Sequence, residues 1–84
     1  MEQLAEKMKV LLATTYHFTL KAQFCHWNVT GPTFSQDHAF FGGLYEEVSG
    51  AIDSTAEEIR ALGQFTPASF IRFNELSLLS DLVD

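Results

Sequence analysis

Apolar and small residues at positions 4, 8, 11, 12, 15, 18, 22 and 25 recur by threes and fours, the spacing of one helix face. Gly31-Pro32 interrupts the pattern, because proline disfavours helical geometry in the residue before it. The spacing then resumes at Phe34, His38, Phe41, Tyr45, Val48, Ile52, Ala56, Ile59 and Leu62. This predicts two long helices, over about 4–28 and 34–62, joined by a turn at 29–33. So short a turn forces them antiparallel. Thr33-Phe-Ser-Gln36 has the form of a capping box, with Asp37 in the first turn, and Gly63 is placed to end the second helix. Residues 64–67 read as a connector and 69–76 as a short third helix. The tail from Leu78 to Asp84 alternates apolar and acidic residues, with no element assigned to it. Residues 1–84 are thus expected to form a single all-α domain.

Apolar residues make up 46% of the chain and include eight Phe, which excludes a disordered segment. Val10, Leu20, Phe24 and Trp27 widen the apolar surface of the first helix beyond one stripe. A hairpin alone cannot cover such faces, and burying one Phe or Leu is worth about 1.5–3 kcal/mol. The expected architecture is therefore half of a four-helix bundle, completed by self-association or by a missing second half. Gly42, Gly43 and Gly50 fall inside the second helix, each costing up to about 1 kcal/mol relative to Ala. The expected reason is close contact between helices.

The chain carries five Lys/Arg against eleven Asp/Glu, a net charge of −6. Its basic residues are scattered, which speaks against a nucleic-acid-binding module and against DNA binding through a tail. An acidic assembly attracts cations instead. Cys25 is the only cysteine, read as a small apolar helix residue, so no intrachain disulfide can form. The start, MEQLAEKMKV, has acidic residues where a signal peptide needs basic ones, and no apolar run approaches the roughly 20 residues that span a bilayer. The expectation is a cytoplasmic protein with no membrane partner. His17 has no carboxylate at useful spacing and is read as a surface histidine.

Four residues carry the chemistry. His26 and His38 flank the turn, and Asp53 and Glu57 stand at i and i+4, on one face of the second helix. Two imidazoles and two carboxylates suit a transition metal such as ferrous iron. The spacing constrains how they can meet, because His38 and Asp53 lie roughly 22 Å apart along one helix at 1.5 Å per residue. One ion cannot join both from a single chain. If two hairpins pack antiparallel about a two-fold axis, the histidines of one chain meet the carboxylates of its mate, giving two sites per dimer.

The run His26-Trp-Asn-Val-Thr-Gly-Pro-Thr-Phe34, the second histidine at 38, and Ile52-Asp-Ser-Thr-Ala-Glu-Glu-Ile-Arg-Ala-Leu-Gly63 together resemble the Dps family. These are the ferritin-like DNA-binding proteins from starved cells, whose chains are nearly twice as long. The resemblance implies that His26 and His38 match the histidine ligands of the family's di-iron ferroxidase centre. It implies that Asp53 and Glu57 match the carboxylates contributed across the two-fold interface, and that Trp27 matches the aromatic residue beside the centre. Such proteins oxidise Fe(II), with hydrogen peroxide in preference to O2, and store the ferric product in a dodecameric shell, limiting oxidative damage. This chain departs from the pattern at Gly42, where many members carry an acidic residue, at Glu58, where Arg is common, and in lacking a Lys-rich tail. The expected function is that of an iron-sequestering ferroxidase working as a homo-oligomer, at least a dimer. The alternative is a truncated Dps-like structural or interaction protein without ferroxidase activity.

Overall fold

A computed structural model describes residues 2–80, so the end of the acidic–apolar tail, residues 81–84, lies outside the described residues. Three helices follow in order: α1 (Glu2–Asn28), α2 (Phe34–Ala61) and the short α3 (Phe70–Leu76). α1 and α2 form the antiparallel hairpin, and α3 folds back against α1. No strand occurs among the described residues.

The molecule is a slab of 49 × 24 × 16 Å. Its Cα radius of gyration is 14.7 Å, against about 12 Å for a compact domain of this length. The thickness explains the thin core. The fully covered apolar residues are Ala5, Leu12, Ala13, Ala22 and Ile59, and only Leu12 and Ile59 among them are large. A second face of α1, about 100° round the helix from the buried Ala5, Leu12 and Thr19, carries Leu4, Leu11 and Phe18 at heptad spacing, 45%, 54% and 40% exposed. α1 therefore has two apolar faces and only one of them is covered.

The helix ends follow from local chemistry. Gly31 takes φ +102° in the turn. At the far end of α2, Gly63 takes φ +87°. Its N–H donates to the Arg60 carbonyl at 3.0 Å and the Gln64 N–H to that of Ile59 at 3.4 Å, the paired bonds of a Schellman cap. A Cβ at Gly63 would meet nothing within 4 Å, so only backbone strain opposes a side chain there. Gly63→Ala is expected to destabilise the fold by about 1–2 kcal/mol, seen as a lower urea midpoint at unchanged slope. Ser69 caps α3, its Oγ accepting the Arg72 N–H at 3.1 Å.

Three expectations fail, each for a tertiary or local reason. The capping box does not form. Thr33 makes no side-chain cap bond, because its hydroxyl donates to Asp37 Oδ2 at 2.8 Å instead. Gly43 and Gly50 have no neighbour within 4 Å for an added Cβ, so within one chain the close-contact explanation holds for Gly42 alone. His17 is not a surface residue. It is 8% exposed and is hydrogen-bonded through Nδ1 to Ser77 Oγ at 3.0 Å. The chain leaving α3 covers it, held there by the Leu78 N–H donating to Thr14 Oγ1 at 3.0 Å.

Candidate metal centre

His26 lies in the last turn of α1 and His38 in the second turn of α2, so the hairpin turn sets them at one height. Each reaches across to the other's backbone. His26 Nδ1–H donates to the His38 carbonyl at 2.6 Å, and His38 Nδ1–H donates to the His26 carbonyl at 2.8 Å. The His26 carbonyl is one of those left without an intrahelical partner at a helix C-terminus. His38 satisfies it. The two rings stack with centroids 3.7 Å apart and planes 22° from parallel.

This reciprocity fixes the chemistry of both rings. A carbonyl can only accept, so each Nδ1 must carry a proton, and in the neutral ring each Nε2 is left as the lone-pair nitrogen. Ligating histidines are commonly held this way, with the nitrogen away from the metal donating to a carbonyl or carboxylate. The donor set therefore fits a transition metal at Nε2. Phe34 stacks on His38 with centroids 5.0 Å apart, and Tyr45 meets His26 edge-on at 5.5 Å. These rings complete an aromatic column running Phe34, His38, His26, Tyr45. Trp27, next to His26 in the chain, is 63% exposed, and the ring contacts of the pair come from Phe34 and Tyr45 instead. Both belong to the helical spacing of α2. Phe34 is four residues before His38, one helical turn away, and that spacing was the available signal.

Asp53 and Glu57 are exposed on α2. They lie roughly 22 and 28 Å of helical rise from His38. Neither has a side-chain hydrogen bond or ion pair among the described residues. No group of three or more His, Cys, Asp or Glu close enough to hold a metal occurs among the described residues of one chain. The chain by itself brings two imidazoles together at one end and presents two carboxylates to solvent towards the other. Among the described residues no helix is long and apolar enough to cross a membrane.

The comparisons with known proteins converge on one fold. The family model for the ferritin-like domain matches residues 5–83. The crystal structure of antigen TpF1 from Treponema pallidum superposes with a TM-score of 0.93 at 26% identity, over 99% of this chain and 53% of that one. An uncharacterized low-temperature-induced protein of Nostoc sp. is 34% identical over 83% of this chain and 39% of its own length. The DNA protection during starvation protein of Halobacterium salinarum is 34% identical over 81% of this chain and 37% of its own. The chain thus spans from somewhat over a third to about half of these three proteins. With the match running nearly end to end and the hairpin superposing so closely, the chain belongs to the ferritin-like family, as a partial, Dps-like member.

Proposed function

We propose that the chain binds Fe(II) as substrate and oxidises it, with hydrogen peroxide or O2 as acceptor, at a di-iron site shared between two copies. The observation that carries this reading is the pair of Nδ1–H bonds to backbone carbonyls, which leaves both Nε2 atoms as donors in fixed rings. His26 and His38 of one copy supply the nitrogens, and Asp53 and Glu57 of the other supply the carboxylates. Two Fe(II) each give one electron to one peroxide, which with two protons becomes two waters and releases no hydroxyl radical. The protein's part is positioning: the stacked imidazoles hold their nitrogens still, and the carboxylates offset the cation charge. A homo-oligomer, at least a dimer and extending to a dodecameric shell, is the assembly in which such sites are complete. Gly42 supplies no ligand, so oxidation is expected to be slower than in relatives with a carboxylate there.

Mixing Fe(II) with peroxide in a stopped-flow absorbance experiment tests the reading. Oxidation is expected well above the protein-free rate. Glu57→Ala should slow it at least tenfold, whereas Glu58→Ala should change it little. A second reading rests on the same hydrogen bonds, since they also strap α1 to α2. An oxidation rate equal to that in buffer would leave that metal-free structural role as the function of the histidine pair.

A further inference from the structure

Tyr45 follows His38 by two helical turns, so both leave one face of α2. Its ring meets His26 edge-on with centroids 5.5 Å apart, at the opposite end of the aromatic column from Phe34. Of the two rings that touch the histidine pair, only Tyr45 is readily oxidised, because its phenol has a proton to release with the electron. Trp27 is 63% exposed, and no ring contact joins it to either histidine. Tyr45 is half-buried, and its hydroxyl has no hydrogen-bond partner among the described residues. A proton leaving that hydroxyl passes to water.

The need for such a donor arises at Gly42. The reaction proposed above, on which this step rests, takes one electron from each of two Fe(II), and Gly42 supplies no ligand to hold the second. A site holding one Fe(II) has a single electron for a two-electron oxidant. Fe(II) and peroxide alone then give Fe(III), hydroxide and a hydroxyl radical. We infer that Tyr45 is the second electron donor at a singly loaded site, through the His26 imidazole that it touches. Peroxide takes one electron from Fe(II) and one from the phenol, its O–O bond breaks, and two protons, one replacing that lost by the phenol, complete two waters. The balance is Fe(II) + H2O2 + TyrOH + H+ giving Fe(III) + TyrO• + 2 H2O. A later Fe(II) returns the electron and, with a proton from solvent, restores the phenol.

Electron paramagnetic resonance reads the radical directly. Anaerobic protein is loaded with one Fe(II) per chain, mixed with one equivalent of hydrogen peroxide and frozen within milliseconds. The unaltered chain should give a tyrosyl signal that narrows when the protein is made with ring-deuterated tyrosine. Tyr45→Phe keeps the ring but lacks the phenol, and should lose the signal. Tyr16→Phe, at the chain's other tyrosine, and Trp27→Phe should keep it. Trapped hydroxyl radical should rise in Tyr45→Phe at one Fe(II) per chain, and fall back towards the unaltered level as Fe(II) fills both positions. Co(II), as a spectroscopic probe, should bind both proteins equally, because phenylalanine preserves the packing on His26. Fe(II) oxidised without a tyrosyl signal, a signal that survives Tyr45→Phe, or an unchanged hydroxyl yield overturns the inference and leaves the proposed function standing. Weaker Co(II) binding by Tyr45→Phe also overturns it, since the phenol would then act on ligand geometry. Fe(II) oxidised no faster than in buffer overturns the proposed function, and this step with it.

Discussion

Mixing a His26→Ala protein with an Asp53→Ala protein is expected to restore Fe(II) sites that each variant alone has lost. In the proposed two-fold dimer each site would take its nitrogens from one copy and its carboxylates from the other. A homodimer of either variant therefore has both sites crippled. In the mixed dimer one site carries both defects and the other carries none. Random exchange makes half of the dimers mixed, with one intact site of two, so about a quarter of the original tight sites should return. Each variant alone should bind Fe(II) at least about tenfold more weakly, since a lost ligand costs no less than a lost orienting group. The geometry motivates the design: within one chain the histidines sit at the α1–α2 turn and the carboxylates towards the far end of α2, and among the described residues Asp53 and Glu57 have no side-chain partners. Titration of the mixture with no recovery of sites would place the two pairs in separate roles.

Leu11→Asp is expected to dissociate the assembly. Leu4, Leu11 and Phe18 form an exposed stripe on α1 at the seven-residue spacing by which helices meet other helices. Among the described residues the large buried apolar side chains are only Leu12 and Ile59, too few to make the covered face sufficient alone. In the homo-oligomer proposed above, a second copy seated on the stripe would supply the missing layer. Each Leu withdrawn from water contributes about 1.5–3 kcal/mol, and a symmetric interface contains Leu11 twice. Replacing both with a carboxylate should therefore weaken association by roughly 100-fold or more. Light scattering at micromolar concentration should show the unaltered chain as a dimer or larger and the variant as monomer, with reduced helix content. A well-folded monomer of the unaltered chain would remove the argument, because the stripe would then be tolerated in water.

The sequence by itself determined the all-α hairpin, because helical periodicity and its interruption are local. Threefold and fourfold spacing marks α1 and α2, Gly31-Pro32 leaves no room for anything but a reversal, and Gly63 stops α2 through its own left-handed backbone. The same reversal made the proximity of His26 and His38 legible, since residues equally distant from a tight turn must face each other. What the rings do once adjacent was not legible. Both nitrogens bonded to the opposite backbone, the stack, and the role of Phe34 and Tyr45 depend on how far apart the helix axes settle. That distance decides why Gly42 meets an imidazole and Gly43, its neighbour, meets nothing. His17 shows the same limit from the other direction: its burial is set by Ser77, 60 residues away, which no pattern along α1 encodes. Periodicity fixes which face of a helix is apolar, but only packing between distant segments decides which polar atoms on that face find a partner.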